Sequence, residues 1–208
     1  MTTGDAVRRA AAVERGIASA DALFSMEVIP EGAVVREPEG EAATEAAVER
    51  LGSRFARLDG QVRRALRRTR DHAGNLSSDR LPGLSEIVQN GEDLGARDVR
   101  ILTRGRELLV AHNGSPVRLP DVLALAMPWL TSKAERAEST GRFGIGLMTL
   151  QSLSPHLEVH CGHYRFRVGD PDIAVARPFP LLTTAPVTAT REVHRVRGGA
   201  GGLRRSAS

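Results

Sequence analysis

The sequence predicts an α/β (α+β) fold, a two-layer sandwich in which helices cover one face of a mixed, mostly antiparallel sheet. Hydrophobic residues make up 41% of the 208 residues, which is enough for one buried core. Apolar residues recur at helical spacing in segments 43–70 and 82–94. Two later regions alternate apolar and polar residues around short turns, as β-hairpins do. Helices and hairpins with one apolar side pack as layers around a shared core.

The composition excludes several kinds of protein and site. Cys161 is the only cysteine, so an intramolecular disulfide and a cysteine-based zinc site are both excluded. No apolar run reaches the roughly 18 residues of a membrane span, and the first residues lack the apolar stretch of a secretory signal. We therefore expect a cytoplasmic protein with no membrane partner. The net charge of +4 is too small to indicate nucleic-acid binding by itself.

Residues 1–43 are predicted to be an N-terminal extension that is partly helical. The alanine-rich residues 6–20 favour a short helix, and Pro30 and Pro38 interrupt any regular pattern after it. We expect the link that follows this helix to be poorly ordered.

Residues 44–79 are predicted to form a basic amphipathic helix packed on the domain. Mostly apolar residues fall three or four apart along one stripe: Leu51, Phe55, Leu58, Val62, Ala65 and Thr69. Arginines occupy much of the remaining surface. A surface helix with solvated arginines is favoured because no aromatic residues alternate with the arginines, while a nucleic-acid-binding helix and a dimerising coil stay open as alternatives.

The pattern is clearest in residues 80–177. A helix is predicted from Pro82 to Leu94, with Gly95 as its C-terminal stop. The other predicted elements, in chain order, are strands Val99–Thr103 and Glu107–Ala111 around a turn at 104–106, a helix from about Pro120, a polar stretch at 131–140, a glycine-rich segment at 141–146, a short helix Leu147–Leu153, and a hairpin of Leu157–Cys161 and Tyr164–Val168. The tail, residues 178–208, is predicted to be disordered.

Three polar segments in this region carry the candidate chemistry. Glu86, Asn90 and Asp93 share one face of the predicted helix 82–94, and this face could line one side of a polar pocket. Residues 112–114, His-Asn-Gly, follow a buried strand, where a ligand can approach the backbone. The glycines of 141–146 precede a helix, and such backbone N–H groups bind phosphate. Taken singly, each is explained as well by a solvated helix face or an ordinary turn.

Together and in this order, the three segments resemble the motifs of the Bergerat (GHKL) ATPase family, in its sacsin-like and heat-shock-chaperone branch. Residues 84–96 read LSEIVQNGEDLGA and resemble the family's E-x-x-x-N helix. Residues 111–117 read AHNGSPV and resemble the first glycine box. Residues 131–133, TSK, and 141–147, GRFGIGL, resemble the lid and the second box, G-x-F-G-x-G-F. The resemblance covers about residues 80–170.

The resemblance implies Mg²⁺-dependent ATP binding with slow hydrolysis that closes a lid. Asn90 would hold Mg²⁺, and Glu86 would be the general base that activates water. The remaining nucleotide-binding residues that it implies are Asp93, His112, Asn113, Gly114, Lys133, Gly141, Arg142, Phe143, Gly144, Ile145 and Gly146.

This sequence departs from the family pattern at the first box. His112 stands where most members have the aspartate that receives the adenine amino group, and Pro116 replaces the second glycine. A neutral imidazole has one acceptor nitrogen and could substitute, or Asn113 could take the role. The sequence also lacks an obvious match to the family's further strands after Val168, so the fold is expected to be incomplete there. The alternative function is a non-catalytic nucleotide sensor or protein-interaction module. An unidentified protein partner and a homodimer stay open.

Overall fold

The structure is a computed structural model. The described residues are 2–24, 36–75, 82–104, 107–126, 156–169, 172–177 and 192–197. Within them the chain forms helices and a single antiparallel sheet, so the α+β class predicted from the sequence is confirmed.

The helices lie mainly in the first half of the chain and the strands in the second. The helices are α1 (Thr3–Phe24), α2 (Glu41–Ala56), α3 (Gly60–Asn75), α4 (Pro82–Asp93) and α5 (Leu119–Ala126). The strands are β1 (Val99–Arg104), β2 (Glu107–His112), β3 (His156–Cys161), β4 (Tyr164–Gly169), β5 (Asp172–Val175) and β6 (Glu192–Arg197). The predicted helix 82–94 and both predicted hairpins are confirmed to within about one residue at each end.

The six strands lie in the order β1-β2-β6-β3-β4-β5. Every pairing among the described strands is antiparallel, as most pairs of the predicted mixed, mostly antiparallel sheet are, and none of these pairings is parallel. The reason is the connectivity: β1–β2 and β3–β4 are hairpins, and β5 turns directly back along β4.

Strand β6 corrects the prediction for the end of the chain. The sequence predicts that residues 178–208 are disordered and that the fold is incomplete after Val168. The prediction is wrong for Glu192–Arg197, which pairs with β2 on one side and β3 on the other, while 178–191 and 198–208 lie outside the described residues. Strand β5 is also formed. The sequence EVHRVR carries little apolar alternation, so its strand conformation depends on the two neighbouring strands rather than on local preference.

The basic segment is two helices rather than one. Helix α2 ends at Ala56; the backbone N–H of Arg57 then donates to the carbonyl oxygen of Arg54, and that of Leu58 donates to the carbonyl oxygen of Phe55, both at 3.1 Å. A carboxylate oxygen of Asp59 accepts from the N–H of Gln61 at 2.7 Å, which caps the N-terminus of α3. The predicted apolar stripe runs through this break, which is why its periodicity concealed the two helix ends.

Helix α1 packs along α2 as part of the core. Ala20 and Leu23 of α1 are buried. Asp21 receives two hydrogen bonds from Arg50 and one from Arg54 of α2, and these guanidinium groups hold the pKa of its carboxyl below the usual value. Helix α1 also runs longer than predicted, from Thr3 to Phe24.

The main core lies between the helices and one face of the sheet. Alternate residues of β3 and β4 belong to it, as do the buried faces of α1, α2 and α5. Leu66 of α3 is also buried, whereas Arg64 and Arg68 of this helix are exposed. None of the helices that the structure describes combines the length and apolar character needed to cross a membrane.

Candidate functional site

Helix α4 carries the first candidate segment and ends as the sequence predicts. Gly95 has a φ of +75°, in the left-handed region that favours glycine. The N–H of Ala96 donates to the carbonyl oxygen of Gly91, and the N–H of Gly95 donates to that of Glu92, both at 2.8 Å. These two bonds form a Schellman motif, which fixes how the chain leaves α4 for β1.

The polar stripe of α4 lies beside the face that packs on the sheet. Ile87 is fully buried, and Gly91 contacts β1 and β2 closely. Asn90 and Asp93 are half-buried at the border of this face. Glu86 lies on the same helix one turn before Asn90, but its side chain falls outside what the structure describes.

The His112-Asn113-Gly114 segment lies directly against the end of α4. The N–H of Ser115 donates to the carbonyl oxygen of Leu94 at 2.8 Å. A Cβ added to Gly114 would come to 2.9 Å from the Cβ of Leu94, so a larger residue would displace this contact. The structure therefore brings together two of the three segments that the sequence singled out.

The Asn113 side chain bridges the loop between α4 and β1. Its carboxamide oxygen accepts hydrogen bonds from the backbone N–H groups of Arg97, at 2.9 Å, and Asp98, at 3.1 Å. A carboxamide oxygen has two lone pairs, and both are used here. It therefore has no acceptor left for an adenine amino group.

His112 is 2% exposed and lies beneath α4. Its ring is about 3.5 Å from the position that a Cβ on Gly91 would occupy. Its Nδ1 accepts a hydrogen bond from the backbone N–H of Gly114 at 3.3 Å. A neutral ring that accepts at Nδ1 carries its proton on Nε2, so Nε2 is a donor and not an acceptor.

The segments that resemble the lid and the second glycine box fall outside the described residues. This applies to the predicted binding residues Lys133, Gly141, Arg142, Phe143, Gly144, Ile145 and Gly146. The short helix predicted at Leu147–Leu153 and the turn at 105–106 also fall outside. Helix α5, which leads towards the lid segment, is described and has a buried apolar face.

Glu37, which no sequence pattern indicates as a site residue, connects three segments that lie far apart in the sequence. Its carboxylate accepts hydrogen bonds from the N–H of Leu119, at the start of α5, and from the hydroxyl of Tyr164 on β4, at 2.6 Å. A carboxylate at a helix N-terminus also interacts favourably with the helix dipole and so stabilises the helix. No local pattern indicates these contacts, because the partners lie 82 and 127 residues away along the chain.

The Tyr164–Glu37 contact predicts a stability loss at alkaline pH. Burial raises the pKa of the Tyr164 hydroxyl, and so does its hydrogen bond to Glu37. The unfolded chain loses this proton at about pH 10, whereas the folded chain keeps it. The contribution of Tyr164 to the free energy of unfolding is therefore complete below that pH and decreases above it. We expect the free energy of unfolding to fall by about 1.4 kcal/mol per pH unit there, a dependence that Tyr164→Phe lacks.

Ultraviolet absorbance can check this directly, because Tyr164 is the only tyrosine. Tyrosinate absorbance should stay absent above about pH 10 until the protein unfolds. Titration of the Tyr164 hydroxyl at about pH 10 in the folded protein would contradict the buried contact with Glu37.

Comparisons with models of known protein families and with curated proteins find no match to this chain. The hypothesis of a nucleotide site therefore depends on the chain's own residues and on their arrangement.

Proposed function

We propose that this protein is an ATP-binding domain of the Bergerat kind, which binds ATP with Mg²⁺ and hydrolyses it slowly. The nucleotide phosphates would lie between α4 and the glycine-rich segment 141–146. Closure of segment 131–140 over them would change a surface that a protein partner recognises.

The contact between α4 and residues 112–114 is the observation that carries this proposal. The two segments lie about 20 residues apart in the sequence, yet Gly91 lies against the ring of His112, Gly114 lies against Leu94, and the N–H of Ser115 donates to the carbonyl oxygen of Leu94. A helix with the half-buried polar residues Asn90 and Asp93 thus borders the end of a buried strand. The resemblance assigns residues of both segments to one nucleotide site, and residues of one site must lie close together.

The residues of α4 suit the phosphate end of the ligand. The carboxamide oxygen of Asn90 is a hard ligand of the kind that Mg²⁺ prefers. Mg²⁺, when bound, would neutralise phosphate charge. Glu86, one helical turn away, would take a proton from the water that attacks the terminal phosphate, and the products would be ADP and inorganic phosphate. Lys133, Arg142 and the backbone N–H groups of 141–146 would bind phosphate oxygens.

The first glycine box does not suit the adenine end of the ligand. Adenine's amino group is a donor and needs an acceptor. The Nδ1 of His112 and the carboxamide oxygen of Asn113 already accept backbone hydrogen bonds. We therefore assign these two side chains to the packing of β2 against α4, and we derive no adenine contact from them.

Because Nδ1 of His112 and the carboxamide oxygen of Asn113 already accept backbone hydrogen bonds, a second candidate is also favoured. It is a non-catalytic nucleotide sensor or protein-interaction module. In that case the chain would bind a phosphate compound weakly or not at all and would show no turnover. Retained binding by the Glu86→Ala variant together with lost hydrolysis would support the ATPase, whereas no hydrolysis by the wild-type protein would support the sensor.

Calorimetric titration with a non-hydrolysable ATP analogue, with and without Mg²⁺, tests the proposal. We expect binding that requires Mg²⁺ and that weakens at least about tenfold in Asn90→Ala, since one ligand of the metal is lost. Gln89→Ala is the matched control because Gln89 is exposed on the same helix, and it should bind as the wild type does. Equal affinity in Asn90→Ala and Gln89→Ala would refute the metal role of Asn90.

A further inference from the structure

Helix α3 carries the entire net charge of the protein. The chain has 29 basic and 25 acidic residues, a formal net charge of +4. Five of these arginines and one aspartate lie in the 16 residues of α3, which leaves 24 basic and 24 acidic residues in the rest of the chain. The positive excess is therefore confined to one helix of about 24 Å. A basic stretch along a single element favours a partner with many negative charges.

The packing of α3 directs two of its arginines away from the domain. Leu66 is buried in the core, so its position defines the inner side of the helix. Arg64 and Arg68 lie two residues before and after it, which places both about 160° around the helix axis from Leu66. Both are exposed and stand one turn apart on the outer side. Arg57, in the turn that precedes α3, is exposed as well.

The fold does not neutralise these outer arginines. On the neighbouring helix α2, Arg50 and Arg54 both form ion pairs with Asp21. Among the ion pairs that join described residues, none includes Arg57, Arg64 or Arg68. Their guanidinium groups therefore present positive charge and hydrogen-bond donors to a partner without having to leave a partner in the protein.

We propose that Arg57, Arg64 and Arg68 bind the phosphate backbone of duplex DNA without sequence preference. A duplex carries one negative charge per about 1.7 Å of its axis, so its charge complements a helix with a net positive charge along its length. A guanidinium group donates two parallel N–H bonds to phosphate oxygens. Such binding releases counterions from the DNA and requires no pocket on the protein. This inference is independent of the proposed nucleotide site.

The other residues of α3 favour duplex DNA over other anionic partners. The helix has no aromatic residue on which the bases of a single strand could stack. Val62 is the one exposed large apolar residue among those described in α3, whereas a helix that lies in a membrane surface needs a broad apolar face. An extended acidic peptide carries at most one charge per about 3.3 Å, roughly half the charge density of a duplex.

Fluorescence anisotropy with a labelled DNA duplex, in the absence of nucleotide and Mg²⁺, tests this proposal. Three phosphate contacts predict an affinity that falls roughly 40-fold between about 50 and 200 mM salt. The double variant Arg64→Gln, Arg68→Gln should weaken binding at least about tenfold at low salt and lower the slope of log affinity against log salt by about 1.8. Glutamine and arginine have similar helix propensity, so the fold should be retained, as circular dichroism can verify.

The double variant Arg9→Gln, Arg15→Gln is the matched control. Both arginines are exposed on α1, and their removal changes the net charge by the same amount, but α1 carries as many acidic residues as arginines. This variant should bind the duplex as the wild type does. Equal weakening by the two double variants, no duplex binding at low salt, or tighter binding of the single strand would overturn the proposal. So would binding to anionic phospholipid vesicles or to polyglutamate that depends on Arg64 and Arg68 when the duplex does not bind.

Discussion

Glu86→Ala is expected to lower ATP turnover by about 10²–10⁴-fold, the usual contribution of a general base, while nucleotide affinity stays within a few-fold of the wild type. The reason is that the carboxylate would act on water rather than bind the nucleotide. Steady-state phosphate release and calorimetric titration, measured on the same samples, separate the two effects.

Glu92→Ala is the control for this experiment. Glu92 is an exposed carboxylate on the same helix, so its removal changes the charge of α4 by the same amount. Turnover in this variant should match the wild type. If Glu92→Ala and Glu86→Ala lose turnover equally, the effect is one of general charge, and Glu86 is not the base.

Gly16→Ala is expected to destabilise the fold by about 1–3 kcal/mol or more, despite the better helix propensity of alanine. Gly16 lies where α1 crosses the start of α2. A Cβ at this position would come to 2.1 Å from the carbonyl oxygen of Ala43, which is backbone and cannot rotate away. Chemical denaturation followed by circular dichroism measures the change.

Gly4→Ala supplies the comparison within the same helix. The nearest atom to a Cβ on Gly4 is the flexible end of Arg8, at 3.9 Å. This variant should therefore be neutral or gain up to about 1 kcal/mol. Similar stability of both variants would contradict the close packing of α1 on α2, and with it the conclusion that the first helix belongs to the core.

The elements that the sequence predicted well are those with local signals. Gly95 stops α4 because its positive φ suits glycine, and this can be read from sequence alone. The two hairpins show alternation on both sides of a short turn. The break at Asp59 also has a local signal, an aspartate that caps α3, but the apolar periodicity continues across it and favours one helix.

The features that the sequence did not predict depend on distant partners. Strand β6 is held by β2 and β3, and EVHRVR shows no apolar alternation that would indicate a central strand. Glu37 reaches α5 and β4 from a segment expected to be poorly ordered. Such contacts are set by the tertiary fold and leave little trace in the local pattern.

In the candidate site too, the sequence predicts where residues lie along helices and strands, but not the hydrogen bonds that the tertiary fold gives them. The pattern placed Asn90 and Asp93 on one helix face and His112 at the end of a strand, and the structure agrees with these positions. Whether a side-chain acceptor is available for a ligand could not be predicted. That depends on the hydrogen bonds that Asn113 and His112 make with the backbone around α4.

The most direct measurement of the central claim is a map of amide chemical shifts on titration with Mg²⁺ and a non-hydrolysable ATP analogue. The account predicts that the perturbed amides cluster in α4 and residues 141–146, and that the same titration without Mg²⁺ leaves them largely unchanged. An unchanged spectrum from the folded protein at millimolar nucleotide, or changes confined to the arginines of α3, would contradict it.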